Sequence, residues 1–597
     1  MSRAKKTKEP QTTAQQLGSI IKSARKIMRK DKGLSGDLDR LPMLTWIMFL
    51  KFLDDVEQIR EQKATIAGKK FRPVIETPYR WRDLAAREDG ITGDELKAFV
   101  NNDEVTQPDG SRMPGLFAYL RSLQSSNGEN GRDNRDVIAT VFRDVNNRMV
   151  SGYLLREVIN KVNGIHFTSS DEIHTLSRLY ESMLKEMRDA AGDSGEFYTP
   201  RPVVRFMVEV VNPRLGETVL DPACGTGGFL VEAYSHLEKQ CKTVQDRQTL
   251  QTVSILGGEA KPLPYLLAQM NLLLHGLEAP NINPNNSLTS PLKEIGDKDR
   301  VDVVLTNPPF GGEEERGILG NFPEDKQTAE TALLFMQYIM RMLRRRPTPG
   351  RAGVVVPDGT LFGDGIAGRI KEELLEKFNL HTIVRLPKGV FAPYTDIRGN
   401  LLFFDAAGPT KEIWFYEMQP PEGRKNYSKT VPMQYEEFSD CLAWWDNRGE
   451  NELAWRVDFA QQFARARAEA TPHWNAATDA EAKAQIYARE AKEVGDAIRE
   501  AQKEPNPEDR VKQTIVLEEE RQRFLAGEAK QRDIARREKA AGDSIYWPIY
   551  NLDTKNPHVR EGVEHLPPEQ IVSNIMEKET RITEILTEVK KLLAREE

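Results

Sequence analysis

Between Thr218 and Tyr416, short apolar runs of β character alternate with stretches whose apolar residues return at helical spacing, and no other feature of the 597-residue chain restricts its fold as much. The runs are Thr218 to Asp221, Ser254 to Glu259, Val301 to Thr306, Ala352 to Pro357, Thr382 to Leu386, Asn400 to Phe404 and Glu412 to Tyr416. Amphipathic segments such as Pro264 to His275 and Thr331 to Arg345 lie between them. This alternation predicts a doubly wound α/β sheet. Ligands of such sheets bind beyond the carboxyl ends of the strands, so the residues closing each run are the first candidates for a site.

Three of those ends carry chemistry. The first run passes into "PACGTGGFL", where Gly225, Gly227 and Gly228 let backbone amides approach a ligand and Asp221 stands at the strand end. No Lys-Ser/Thr pair follows the glycines, so this is not a phosphate loop, and the spacing does not fit GxGxxG. Glu259 closes the second run. Its carboxylate suits a ribose diol, and it equally suits the N-terminus of the helix that Pro262 opens.

The third run continues into "NPPF", Asn307 to Phe310. An Asn side-chain carbonyl followed by a proline, which has no N–H but a free carbonyl, sets two acceptors side by side. Two acceptors fit a primary amine conjugated to a ring: taking both its protons draws the lone pair out of conjugation, toward an electrophile. Phe310 adds a face on which a flat base can stack. Asn-Pro-Pro is also an ordinary turn after a strand. Three such ends in one α/β region favour the pocket.

Hydrophobic residues at 39% and charged residues at 29% describe a folded chain long enough for several units. Ile20, Ile21, Ala24, Ile27 and Met28 mark a helical start. Met43 to Leu53 reads as a buried helix, since Lys51 interrupts it far short of the roughly 20 apolar residues a membrane span needs. Ser125 to Asn134 reads as an exposed loop, and Leu176, Leu179, Tyr180, Met183, Leu184 and Met187 as a further helical stripe. From Phe459 to Ala541 the composition suits long solvated helices or partial disorder. Ile575, Ile582, Leu586, Val589 and Leu593 trace the seam of a packing helix.

The three cysteines and eight histidines are scattered, which predicts neither disulfides nor a metal site. With no apolar segment behind the basic N-terminus, a cytoplasmic protein is expected. A net charge of −7 argues against coating nucleic acid by global charge, so phosphate contacts would come from one face or a partner.

"GEFYTPRPVVRFMV" (Gly195 to Val208), "DPACGTGGFL" (Asp221 to Leu230) and "TNPPF" (Thr306 to Phe310), in that order, resemble the N6-adenine DNA methyltransferases that use S-adenosylmethionine. With the helical N-terminal region, "MNLLLHG" (Met270 to Gly276), "LPKGVF" (Leu386 to Phe391) and "KNPH" (Lys555 to His558), the chain more closely resembles the modification subunit of type I restriction-modification systems. The resemblance implies a class I methyltransferase sheet with an all-α N-terminal domain and C-terminal helices. It implies Phe197, Tyr198, Thr199 and Pro200 as cofactor contacts, the last two on the methionine part. Asp221, Ala223, Gly225, Thr226 and Gly227 become the cradle and Glu259 the ribose ligand. Asn286 would lie near the adenine of the cofactor or the target base. Asn307, Pro308, Pro309 and Phe310 would hold and stack the target amine. After "VFAPYT" the chain has "DIRGN" where the family more often shows a Gly and a small apolar residue, so no base contact is assigned to Asp396 or Arg398.

The implied organisation is a tail at 1–16, a helical domain at 17–165, a catalytic domain at 166–458, a charged helical insertion or linker at 459–545 and a packing segment at 546–597. The implied partners are double-stranded DNA, a specificity subunit bound by two copies of this chain, and a restriction subunit. The acids Glu313 to Glu315 would repel a phosphate backbone, so that loop is expected to be mobile or to face a partner. The same acceptor pair also suits cytosine N4, ribosomal RNA guanine or protein glutamine, and a retained fold could serve as a non-catalytic scaffold.

Overall fold

The computed structural model describes residues 14–68, 70–85, 90–107, 109–123, 134–143, 145–165, 199–362, 365–392, 395, 397–428 and 430–558. The stripe from Leu176 to Met187, Phe197 and Tyr198, Asp396, and the seam from Ile575 to Leu593 lie outside them.

The N-terminal region is helical, with a small antiparallel pair, β1 (Glu104–Thr106) and β2 (Arg112–Pro114). Helices α1 (Ala14–Met28), α2 (Asp37–Ile66) and α3 (Gly152–Asn163) pack together. The Met43 to Leu53 run lies in α2, where Trp46, Ile47, Met48 and Phe49 are each 0% exposed. Lys51, the charge inside that run, is held by Asp55 one turn on at 2.6 Å, so a buried cation is neutralised at its own helix face. Helix α3 starts where the Ser151 hydroxyl accepts from Leu154 N, and it buries Leu155, Val158, Ile159 and Val162 at helical spacing.

The rest is built on a sheet in the order β11-β10-β8-β9-β7-β6-β3-β4-β5. Its strands are β3 (Val219–Asp221), β4 (Ile255–Gly258), β5 (Asn281–Asn283), β6 (Val303–Thr306), β7 (Arg351–Pro357), β8 (Asn379–Arg385), β9 (Gly399–Asp405), β10 (Glu412–Glu417) and β11 (Ala454–Asp458). All seven runs read from the sequence are strands. The two that were passed over, β5 and β11, are short or polar, and only one residue of β5 is buried. The sheet is mixed: β9 lies antiparallel between β7 and β8, and β11 antiparallel beside β10. Helices α4 (Arg201–Val211), α5 (Gly228–Glu238) and α6 (Pro262–Leu274) share the core on one face. Helices α7 (Thr331–Met342) and α8 (Ile366–Lys377) share the core on the other. Both faces are covered, as the apolar runs require, and the doubly wound α/β reading holds.

The N-terminal helices rest on α6. Helix α2 and the helix Asn134–Phe142 pack against it, and Arg60 pairs with Glu278 just beyond its end at 3.2 Å. Two cavities of ≈ 230 and ≈ 520 Å³ lie along this contact. Asp221, Glu259 and Asn307 line neither.

The charged stretch forms two long antiparallel helices, α9 (Phe459–Ala501) and α10 (Pro507–Tyr546). At 43 residues α9 is about 65 Å long. Asp458 and Asn506 cap the two N-termini. Ala466, Ala470, Ala477, Ala480, Ala484 and Ala491 are buried in α9 at spacings of four, seven, three, four and seven, a seam narrow enough for close approach. Gly542 of α10 faces Trp474, where a Cβ would stand 2.6 Å from the indole nitrogen. Among the described residues no helix is long and apolar enough to cross a membrane.

Candidate functional site

From β3 the chain proceeds outward to β4 and β5, then returns to lay β6 on the other side of β3. The carboxyl ends of β3 and β6 therefore flank the point where strand order reverses, the usual ligand crevice of an open α/β sheet. Asp221 ends the first strand and Asn307 follows the second.

The turn after β3 is shaped by two left-handed glycines, Gly225 (φ 53°) and Gly227 (φ 79°), which end at the first turn of α5. A Cβ on Gly227 would meet that of Ala268 at 3.4 Å, so α6 presses directly on the turn. Asn271, also on α6 and 1% exposed, donates from Nδ2 to the Thr226 carbonyl at 2.9 Å. From the other side Arg201 of α4 donates to the Gly228 carbonyl at 3.1 Å. The Ser287 hydroxyl holds the Pro222 carbonyl at 2.7 Å.

Three carboxylates shape the local field. Asp221 is 1% exposed, and its Oδ1 accepts from Thr306 Oγ1 at 2.6 Å and from Ala223 N at 3.1 Å. Burial, reinforced by the Glu259 charge and opposed by those hydrogen bonds, pushes its carboxyl up to about 7. Glu259 accepts from Gly225 N at 3.0 Å through Oε2 and from Lys261 N at 2.8 Å through Oε1. It thus touches both the Gly-rich turn and the entry to α6, the second contact being that of an acid at a helix N-terminus. Glu314 accepts from Asn286 Nδ2 at 3.1 Å, while Asn286 Oδ1 caps the short helix Ser287–Thr289. The middle acid of the Glu313 to Glu315 run is thereby bonded to a predicted site residue.

Asn307 donates from Nδ2 to Thr199 Oγ1 at 3.0 Å. Its Oδ1 is buried with no hydrogen-bond partner among the described residues. A buried acceptor left unmade costs about 1–3 kcal/mol, and this one belongs to the residue that follows the carboxyl end of β6. Phe310 is half-buried, with the ring of Phe391 edge-on at 5.5 Å.

The structure brings Thr199, Pro200, Asp221, Ala223, Gly225, Thr226, Gly227, Glu259, Asn286 and the tetrapeptide Asn307 to Phe310 to the same edge of the sheet. Phe197 and Tyr198 fall outside the described residues. Sequence reading named no role for Arg201, Asn271, Ser287 or Phe391. Arg201, Asn271 and Phe391 do lie inside quoted motifs, and a polar Asn within the apolar run "MNLLLHG" was an available signal.

Residues 171–481 match the family model described as N-6 DNA Methylase, and residues 17–162 match the HsdM N-terminal domain. The chain is 48% identical over 458 residues to the type I restriction enzyme EcoEI methylase subunit of Escherichia coli, covering 75% of this chain and 88% of that one. It is 31% identical to the StySPI methylase subunit of Salmonella potsdam, over 57% of this chain and 62% of the relative. Among solved structures it resembles a modification subunit of a putative type I restriction enzyme from Vibrio vulnificus YJ016, with 72% identity and a TM-score of 0.72 over 76% of this chain and 95% of that one. A chain from a structure concerning complex assembly and conformational transition of the type I R-M system aligns over 98% of this chain and 100% of its own, with 36% identity and a TM-score of 0.64.

Proposed function

The chain belongs to the N-6 DNA methylase family, alongside type I methylase subunits, and from that premise we propose that it transfers a methyl group from S-adenosylmethionine to the N6 amine of an adenine in double-stranded DNA. The observation that carries the reading is the buried Oδ1 of Asn307, which has no hydrogen-bond partner among the described residues, with Pro308 and Phe310 following it in the chain.

The adenine leaves the duplex to reach this edge. Its two N6 protons are donated to Asn307 Oδ1 and the Pro308 carbonyl, which localises the amine lone pair. The Thr199 hydroxyl fixes the Asn307 amide so that Oδ1 is the atom presented. Pro309 stiffens the backbone between the two acceptors and the Phe310 stacking face. Positioning and dipoles do the work, and the proton of the methylated amine leaves to solvent.

The residues present fit the cofactor. Gly225 and Gly227 hold left-handed backbone that a side chain would strain, which leaves the turn's amides open to a ligand, and Asp221, Ala223 and Thr226 would complete the wall. Glu259 would take the ribose, Asn286 the base end, and Thr199 with Pro200 the methionine end. Bound there, S-adenosylmethionine supplies an electrophilic sulfonium methyl.

In this reading 166–458 is the catalytic domain, flanked by the helical domain at 17–165 and the arm at 459–545. DNA sequence is read by a specificity subunit bound by two copies of this chain, and a restriction subunit joins the larger complex. The test is co-expression with the neighbouring specificity subunit in a host lacking adenine methylation, followed by sequencing for modified bases. N6-methyladenine at one motif, absent with Asn307→Ala, is the expected result. Unmodified DNA from an assembled, cofactor-binding complex would sink the proposal and bring RNA or protein amines forward.

A further inference from the structure

Beyond the tetrapeptide, a second polar pair stands at the same edge of the sheet. Asp358 follows β7, the strand beside β6, and Asn400 is the second residue of β9 on β7's other side, opposite Val356. Asn400 is 1% exposed and donates from Nδ2 to Asp358 Oδ1 at 2.7 Å, while its own Oδ1 is buried without a partner among the described residues. The Asp358 backbone N–H in turn donates to the Arg398 carbonyl at 3.1 Å. One side-chain bond and one backbone bond therefore clasp the end of β7 to the residues that lead into β9.

That clasp has a direct mechanical line to the aromatic wall. Gly399, between Arg398 and Asn400, packs so tightly on Phe391 that a Cβ there would stand 2.4 Å from the ring. Phe391 meets Phe310 edge-on at 5.5 Å with the planes inclined by 68°. The position of Gly399 sets where Phe391 sits, and Phe391 limits where Phe310 can turn. Asn400 also stands opposite Arg385 of β8, which pairs with Asp553. Buried polar groups at a strand end are costly to desolvate, and geometric control of a neighbouring site is what they supply.

We propose that Asp358 and Asn400 are positioning residues for the target-base pocket: their hydrogen bond fixes Gly399, and through it the Phe391–Phe310 pair. The inference rests on the adenine-methylation reading for its catalytic consequence, but not for its structural one. Positioning requires the acceptor oxygen of Asp358 and not its charge. Asp358→Asn keeps an acceptor for Asn400 Nδ2, whereas Asp358→Ala removes it.

The experiment uses the full chain with its specificity subunit and genomic DNA from a host lacking adenine methylation. Asp358→Ala is expected to slow methylation about tenfold or more, as misplacement of a reacting group does. Cofactor Kd should stay within about twofold, because the Gly-rich turn is not touched. Asp358→Asn should methylate at close to the wild-type rate. In fluorophenylalanine-labelled protein, the Phe391 resonance, assigned with Phe391→Leu, should move in Asp358→Ala and stay in Asp358→Asn. A wild-type rate and unmoved resonance in Asp358→Ala would overturn the proposal, as would equal damage in the two variants or a cofactor Kd that rises as far as the rate falls. Should the wild-type complex leave DNA unmodified, the reaction is misassigned, and the Phe391 resonance still decides the clasp.

Discussion

Thr306 Oγ1 donates a 2.6 Å hydrogen bond to Asp221 Oδ1, tying the ends of β6 and β3 across the point where strand order reverses. The Gly-rich turn begins immediately after one of these residues and the Asn-Pro-Pro-Phe tetrapeptide after the other. Together with the pairing of the two strands, this bond sets the distance between the groups assigned to the cofactor and those assigned to the target amine.

Asp221 gives that bond a pH dependence. With its carboxyl raised to about 7, chiefly by burial, the folded protein holds this proton more tightly than the unfolded chain does. Its stabilising contribution is complete below the unfolded value near 3.8 and is lost as pH rises through about 7. Asp221→Asn should remove that loss, so melting temperature plotted against pH should fall less steeply for the variant between about pH 4 and pH 8. Parallel curves for the two proteins would show that the carboxyl does not titrate there.

Removal of the Asn307 acceptor should act on the chemical step alone. Asn307→Ala is expected to lower the methylation rate by about 10²-fold or more, the scale seen when one preorganised polar partner of a reacting group is deleted. Cofactor and DNA affinities should stay near wild type, measured by calorimetry and by gel shift. A variant that keeps its rate would remove Asn307 from the reaction.

Asn271 offers a test of the turn from behind. Asn271→Leu deletes the bond to the Thr226 carbonyl while keeping the volume, and should weaken cofactor binding by about tenfold, or roughly 1.4 kcal/mol. Equilibrium titration reads the effect, and unchanged affinity would mean the turn holds its shape from Gly225 and Gly227 alone.

The arm should respond independently of the site. Gly542→Ala pushes a methyl group toward the Trp474 indole, where a Cβ already approaches within 2.6 Å, so it should destabilise the hairpin by about 1–3 kcal/mol. Circular dichroism during denaturant unfolding measures this, and cofactor affinity should not change. Coupled loss of both would place the arm in contact with the site's stability.

The chain itself determined the parts whose cause is local. Apolar runs marked the strands, Gly225 and Gly227 marked a turn that must enter left-handed backbone, and Asn307 to Phe310 displayed its acceptors and ring in consecutive residues. A composition rich in Ala and alternating charge suited long helices or partial disorder, and the structure forms two long helices, α9 burying mainly alanine. Tertiary structure alone decided the rest. The antiparallel insertion of β9 depends on hydrogen bonds to β7 and β8, and no local pattern encodes which neighbours a strand will take. The bond from Glu259 to Gly225 joins residues 34 apart in sequence. Phe391 lies 81 positions beyond Phe310, and Asn400 reaches Asp358 from 42 positions away. Such contacts form only when the sheet closes, because its register, and not the residues between, fixes which side chains share an edge.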